Sequence, residues 1–269
     1  MIDKIITIYC EGKRGSHDFD VLEQIVGDIA TIKPIGSKWG ANAVVEFVEK
    51  GATKSDFYFF FRDRDFDCPV PKEEKLSFDG NKTYFSYRTT IENYLFEISL
   101  FLGFLEQNES KAKYGILTED DVKNIFIETA KNIKDYQAVR HTLGQLRFAN
   151  SFGTTWTDGS GHLPEKLDID TCKTEGWKLI CSVVSKNNSE WTEHNFQTKL
   201  NEYLHLFDDN FFTELQFLIY FQGKDFAKAL TNKLPNFPLK NYYKFAKKHF
   251  DYEKFGDLVE LRKIIETQI

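Results

Sequence analysis

The sequence predicts an α/β fold with a mostly parallel sheet flanked by helices, followed by a mainly helical C-terminal region. In about the first hundred residues, apolar runs typical of strands alternate with stretches of helical periodicity, and from about residue 118 the periodicity is mainly helical. The 269 residues suffice for a full core, and a hydrophobic content of 41% with 26 phenylalanines is typical of a globular chain.

The N-terminal elements alternate strand and helix. KIITIYC at 4–10 predicts a strand, and Phe19, Leu22, Ile25 and Ile29 lie at helical spacing within 18–30. The following predicted elements are a short strand at 31–36, a helix at 41–51 that ends at a glycine, and a long strand at 56–63. The order βαβαβ predicts parallel strands covered by helices on both faces.

After a polar loop at 69–82, TYFSY at 83–87 predicts another strand and 89–105 one continuous helix. The clearest later helices are predicted at 118–133, 195–207 and 212–230, and a polar, glycine-containing loop at 151–168 separates two of these regions.

Composition narrows the functional classes. The net charge of −6 means that any contacts with nucleic acid would have to be local, because nucleic-acid binders usually present a basic surface. The four cysteines have neither CxxC spacing nor a nearby zinc-type histidine pair, which favours reduced thiols. The first residues do not resemble a signal peptide, and no stretch approaches the ~18 apolar residues of a membrane span. We therefore expect a cytoplasmic protein.

Carboxylates follow the ends of two predicted parallel strands. Glu11 comes directly after the first strand, and Asp63 and Asp65 end the apolar run FYFFF at 57–61. Carboxyl ends of parallel strands meet at one edge of the sheet, and alternate residues of a still-extended strand point the same way. Such oxygen ligands suit Mg²⁺ or Mn²⁺. The alternative is that the acidic residues only solvate the strand ends, and we assign Asp67 to loop structure.

The frame resembles the Toprim domain shared by topoisomerases, primases and OLD-family nucleases. The resemblance is carried by Glu11-Gly12 after an apolar strand, Asp18 at the start of the next helix, the turn PIGSKWG, and the strand ending in Asp63-Arg64-Asp65. The segments RTTIENYLFE and FQGKDFAKAL are similar to those of stand-alone OLD-like nucleases such as the effectors of the PARIS anti-phage defence system. Two features depart from the Toprim pattern. The segment containing KRGSH is longer than expected, so aligning Asp18 rather than Asp20 with the family's aspartate is a choice. Arg62 also stands where an apolar residue is usual.

The resemblance implies a metal-dependent nuclease that cleaves nucleic acid, RNA or DNA, with transfer RNA as one candidate substrate, under the control of an ABC-type ATPase partner resembling AriA. It implies a Toprim-like catalytic core at 1–104 and a mainly helical region at 105–269, and it leaves a homodimer open. The implied roles are one Mg²⁺ or Mn²⁺ on Glu11, Asp63 and Asp65, a second ion on Asp18 and Glu92, and a transition-state cation at Lys224.

Each of these residues has a structural alternative. Asp18 is also a candidate helix N-cap, and the position of Glu92 matches a capping box with Thr89. The position of Lys224 is equally that of an ordinary surface lysine. The segment NYYKFAKKHF at 241–250 interleaves aromatic rings and lysines in a way that suits nucleic-acid binding, but it equally fits an amphipathic helix with a solvated lysine face.

Two further functional classes stay open. In a HAD-type phosphatase, Asp63 would be the nucleophile and Asp65 the general acid, but there the motif normally ends the first strand of the fold. A non-catalytic Toprim subunit would instead use its aromatic helices to bind a partner.

Overall fold

A computed structural model describes residues 5–36, 44, 57–66, 68–147, 161–182 and 191–269. The chain divides into two compact units. The first comprises residues 1–64, 70–95 and 244–269, and the second comprises 65–69 and 96–243. The last 26 residues, which the sequence-based division places with the helical region, thus group with the first unit, and residues 96–104 group with the second.

The first unit contains a five-stranded, mostly parallel sheet, which confirms the predicted fold class. Its strands are β1 (Ile6–Cys10), β2 (Thr31–Pro34), β3 (Phe57–Arg62), β4 (Ser77–Phe78) and β5 (Thr83–Phe85). Their order is β2-β1-β3-β5-β4; only the β4–β5 pair is antiparallel. Every residue of β1 is buried, as expected for a central parallel strand covered on both faces.

Helix α1 (His17–Val26) follows β1, as predicted, and buries Val21, Leu22, Ile25 and Val26. On the sheet, the ring of Tyr9 stacks on Phe60 with centroids 5.4 Å apart. The predicted helix at 41–51 lies outside the described residues, apart from Val44, which is helical.

The predicted helix at 89–105 is two helices, α2 (Glu92–Leu95) and α3 (Ile98–Gln107). The backbone is extended at Glu97, with φ −94° and ψ 139°. Apolar spacing continues across the break, so periodicity alone could not locate it. The chain leaves the first unit after Leu95 and enters the second at Phe96. The residues on either side of the break therefore belong to different cores.

The second unit is helical, as predicted for the later part of the chain. Its further helices are α4 (Lys111–Tyr114), α5 (Glu119–Asn132), α6 (Lys134–Gln145), α7 (Ile169–Cys181), α8 (Glu193–Leu206), α9 (Asp209–Thr213), α10 (Phe217–Tyr220) and α11 (Gly223–Lys233). Helix α5 begins at a capping box in which Thr118 and Asp121 each accept a hydrogen bond from the other's backbone N–H.

Buried aromatic rings account for much of the phenylalanine content. In the second unit Phe96 contacts Phe126 and Phe226 edge-on, with centroids 6.1 and 5.0 Å away. Edge-to-face pairs of this kind contribute about 0.5–1.5 kcal/mol each beyond the apolar area they bury.

The next helix is α12 (Leu239–Lys248), whose residues group with the second unit up to Tyr243 and with the first unit from Lys244. A 3₁₀ turn (Tyr252–Lys254) and α13 (Gly256–Glu266) follow it in the first unit. Within the first unit, Arg262 of α13 donates to the carbonyl of Ile25 and to both carboxylate oxygens of Asp28. No helix of the described residues is both long and apolar enough to cross a membrane.

Candidate functional site

Glu11 lies at the carboxyl edge of the sheet, directly after β1. The parallel register pairs Cys10 with Phe61, so Glu11 falls opposite Arg62. The Arg62 guanidinium donates from Nε to Glu11 Oε1 at 2.8 Å, and its carbon lies 5.3 Å from the centre of the Phe85 ring. Both side chains of the pair are partly exposed, 16% for Arg62 and 22% for Glu11. The unusual arginine of this strand is thus the ion-pair partner of the first predicted metal ligand.

Gly12 makes the turn that brings Asp18 back to the end of β1. Its φ is +84°, and a Cβ there would lie 2.5 Å from Ser16 Oγ and 3.3 Å from Asp18 Oδ2. The pKa of the buried Cys10 thiol is raised to about 12, first by burial and then by the charges of Asp18 and Glu11. Two predicted ligands, Glu11 and Asp18, therefore lie near the same strand end. The N-cap of α1 is Ser16, so the alternative that Asp18 caps this helix is wrong.

Asp63 follows β3, which ends at Arg62. The side chain of Asp63 is nearly buried, and its Oδ1 accepts a hydrogen bond of 2.8 Å from the backbone N–H of Ile91. The neighbouring Arg64 is fully buried and donates to the carbonyl of Tyr87 at 3.2 Å and to Thr89 Oγ1 at 2.9 Å. Asp63 and Arg64 thus fix the end of β3 to the segment that leads into α2.

Glu92, the predicted ligand from α2, is buried and is the first residue of that helix. In a capping box with Thr89 it would instead be the third helical residue, and the Thr89 hydroxyl accepts from Arg64. The capping-box alternative stays a prediction.

A buried hydrogen-bonded network follows Glu92. Asp257 Oδ2 accepts from the Tyr94 hydroxyl and, at 2.9 Å, from the N–H of Tyr87. The Arg88 guanidinium lies over the rings of Tyr94 and Phe255 at 5.1 and 4.8 Å. Burial raises the pKa of the Asp257 carboxyl, although these hydrogen bonds and Arg88 oppose the shift. The network joins α13 to the segment after β5.

Asp65 and Lys224 lie in the second unit. Asp65 is in a turn with φ +48°, so it does not continue an extended strand in which Asp63 and Asp65 would point the same way. Lys224 is exposed in the first turn of α11, where Gln222 Oε1 accepts from its backbone N–H at 2.8 Å.

A fully buried carboxylate, Asp225, follows Lys224. Asp225 accepts hydrogen bonds from Arg140, from Gln137 Nε2 at 2.9 Å and from the N–H of Gly161 at 2.7 Å. Burial alone would lower the pKa of Arg140, but the Asp225 carboxylate outweighs it and the pKa is raised. This network holds the start of α11, and hence the backbone of Lys224.

Among the described residues, no three histidine, cysteine, aspartate or glutamate side chains are grouped so that they could hold a metal ion. Carboxylates such as Glu11 and Asp18 are nevertheless the ligands that Mg²⁺ and Mn²⁺ prefer, and Mg²⁺ needs only one or two of them besides water and substrate oxygens. The donor types near the end of β1 therefore fit such an ion. Any ion on Glu11 must compete with Arg62.

The lysine-rich segment at 241–250 packs as an amphipathic helix. Tyr242 is completely buried and stacks on Phe96, with centroids 5.7 Å apart, while Lys244 and Lys248 are exposed. Lys247 forms an ion pair with Asp20. Tyr242 is therefore not available for stacking on a base.

Three features were missed from the sequence: the Arg62–Glu11 pair, the Asp257 network and the Arg140–Asp225 pair. The sequence does contain a signal for the first feature. Arg62 is a charged residue at the end of an apolar strand, and it needs a partner; Glu11 follows the neighbouring strand. The other two join residues 163 and 85 positions apart in the chain, and no local pattern indicates them. A comparison with models of known protein families and a search of curated proteins found no match.

Proposed function

We propose that this chain is a divalent-metal-dependent nuclease that hydrolyses phosphodiester bonds of nucleic acid. The position of Glu11 carries the proposal: it stands at the carboxyl end of a central parallel strand, next to a positive-φ glycine turn and close to Asp18. In open α/β sheets, ligands bind beyond the carboxyl ends of the strands. The resemblance to Toprim nucleases involves these same residues.

Glu11 and Asp18 would hold Mg²⁺ or Mn²⁺, and Asp63 is a further candidate ligand because it directly follows Arg62, the residue opposite Glu11. Such an ion supplies Lewis acidity toward a phosphodiester and lowers the pKa of bound water. Arg62 would balance the charge of Glu11 when no ion is bound. The roles of Asp65 and Glu92 as ligands and of Lys224 as a transition-state cation remain predictions.

Two further parts of the proposal rest on the resemblance alone. One is that an ABC-type ATPase partner controls the nuclease in anti-phage defence, with transfer RNA as the substrate. The other is a cytoplasmic location. Co-purification of the tagged chain with an ABC-type ATPase from its own host would support the first part, and its absence from such preparations would count against it.

Cleavage of labelled transfer RNA and of double-stranded DNA tests the nuclease directly. The wild type is incubated with Mn²⁺, with Mg²⁺ and with a chelator, alongside Glu11→Gln. The matched control is Glu23→Gln, which removes an exposed carboxylate from the same β1–α1 segment. We expect cleavage only with metal, retention of activity in the control, and a loss of at least about 100-fold in Glu11→Gln.

Equal cleavage by the wild type and Glu11→Gln would refute the assignment of the site. Hydrolysis of phosphate monoesters that disappears in Asp63→Asn, without any cleavage of nucleic acid, would favour the phosphatase instead.

A further inference from the structure

The second unit contains a cavity of about 380 Å³ beside α6 and α8. Its size falls in the range of about 300–1,000 Å³ that small-molecule sites occupy. One wall is formed by the loop after Asp65, with Phe66 and Pro69, and the opposite side by Tyr203 of α8. None of the residues predicted to bind metal lines it.

The wall of the cavity is held in place by a stack of rings. His141 stacks on Tyr203 with centroids 4.6 Å apart and meets the edge of Phe66 at 4.7 Å. Its Nε2 lies 2.8 Å from the carbonyl of Tyr220. Gly144 lets Phe66 approach α6, since a Cβ there would lie 2.5 Å from Phe66 Cβ. A ligand therefore meets a preformed apolar surface, which lowers the entropy lost on binding.

The charged groups of the cavity are cationic. Arg147 and Lys199 line it, and none of the described lining residues is a carboxylate. Lys199 Nζ donates to Gln145 Oε1 at 3.3 Å, while Gln145 Nε2 donates to the Tyr203 hydroxyl at 2.7 Å. Arg147 follows the end of α6 with φ +56°, and its N–H donates to the carbonyl of Gly144 at 2.8 Å. In a chain of net charge −6, this arrangement selects an anion locally.

We propose that this cavity binds a nucleotide, with its base against the wall of Phe66, Pro69 and Tyr203 and its phosphate toward Arg147 and Lys199. A flat, weakly polar ring joined to an anionic group matches both halves of the lining, the aromatic wall and the two cationic side chains. The nucleotide is either a free mononucleotide or one unit of a single-stranded polynucleotide, and the two share this chemistry. The inference goes beyond nuclease activity, because it needs no metal ion.

Binding is measured in the presence of a chelator, so that its outcome is separate from that of cleavage. Adenosine monophosphate is titrated by calorimetry, and a fluorescein-labelled oligoadenylate of about eight nucleotides is titrated by fluorescence anisotropy. The variants are Arg147→Gln and Lys199→Gln. Lys173→Gln on α7 is the control, because it removes an exposed lysine that does not line the cavity. Circular dichroism confirms that each variant is folded.

We expect at least one of the two probes to bind, with affinity reduced by about tenfold in Arg147→Gln and in Lys199→Gln and unchanged in the control. Binding of the mononucleotide alone would identify a small-molecule site, and tighter binding of the oligonucleotide a strand-binding site. Absence of binding by both probes, or equal affinities in all variants, would overturn the proposal. Competition by inorganic phosphate as strong as that by adenosine monophosphate would also overturn it, since the base would then contribute nothing.

Discussion

At the scale of single residues, Arg62 affects whether Glu11, at the carboxyl edge of the sheet, can bind a metal ion. Both side chains of the Arg62–Glu11 pair are partly exposed, so solvent reaches the pair and weakens it relative to a fully buried one. A divalent cation with water and phosphate oxygens can displace such a partner. Arg62 is therefore compatible with a metal site on Glu11, whereas a deeply buried arginine there would not be.

Arg64, two residues on, is the structural counterpart of Arg62. It is fully buried and donates to Tyr87 and Thr89. We predict that Arg64→Lys lowers the free energy of unfolding by about 2–4 kcal/mol, because lysine keeps the charge but cannot reproduce both bonds of the planar guanidinium. Urea denaturation measures this. Arg14→Lys, at an exposed position, should change stability by less than about 0.5 kcal/mol, and a similarly small effect of Arg64→Lys would contradict the assigned role.

The buried carboxyl of Asp257 should make the stability of the protein depend on pH. Burial raises the pKa of its carboxyl above the ordinary value of 3.8. Because the folded state then holds the proton more tightly than the unfolded chain, the stabilisation is complete below pH 3.8 and is lost as the pH rises through the raised pKa.

Comparison with Asp257→Asn isolates this contribution, since asparagine does not titrate. The free energy of unfolding of the wild type, minus that of Asp257→Asn, should fall as the pH rises from about 4 through the raised pKa. Urea denaturation at a series of pH values measures the difference. A difference that stays constant, or that grows with pH, would show that the pKa of the Asp257 carboxyl is not raised.

At the scale of elements, the turn between β1 and α1 positions Glu11 and Asp18. Gly12 and Gly15 both have positive φ, +84° and +80°, but only Gly12 faces a neighbour. We predict that Gly15→Ala costs about 1 kcal/mol of backbone strain, and that Gly12→Ala costs about 2–3 kcal/mol because its Cβ also meets Ser16. Thermal or urea unfolding of the two variants distinguishes the effects. Equal losses would mean that the close approach of Ser16 does not constrain the turn.

The elements differ in how well the sequence predicts them. β1, α1, β2 and β3 were found close to their predicted positions, because each is a short apolar or amphipathic run bounded by turn residues. The break between α2 and α3 could not be predicted, since the apolar spacing continues through Phe96 and Glu97. The break coincides with the point where the chain passes from the first unit to the second, which no local pattern indicates.

The candidate site was predictable to a smaller extent. The register of two parallel strands brings Glu11 level with Arg62, but a sequence does not reveal which residue of one strand faces which residue of the next. The hydrogen-bond partners described for Asp63 and Arg64 lie at Tyr87, Thr89 and Ile91, after a loop whose path the sequence does not indicate. The Asp257 network connects residues of the first unit that lie more than 160 positions apart in the chain.

At the scale of the whole molecule, the two units carry different chemistry. The first has a parallel sheet whose carboxyl edge presents Glu11 with Asp18 nearby, and the second has a cationic, aromatic-lined cavity. The net charge of −6 indicates neither feature, because it is a sum over the whole chain. Local charge, rather than the total, decides which ligands each unit can take.

Binding of Mn²⁺, followed by electron paramagnetic resonance of the free ion, tests the central claim that Glu11 is a metal ligand. We predict that Glu11→Gln weakens binding by at least about tenfold, since even outer residues of metal sites alter affinity by 10–100-fold. Arg62→Gln should bind Mn²⁺ more tightly than the wild type, because Glu11 then has no competing partner in this pair. Arg14→Gln removes an exposed positive charge nearby and should bind like the wild type. Unchanged Mn²⁺ affinity in both Glu11→Gln and Arg62→Gln would contradict the claim.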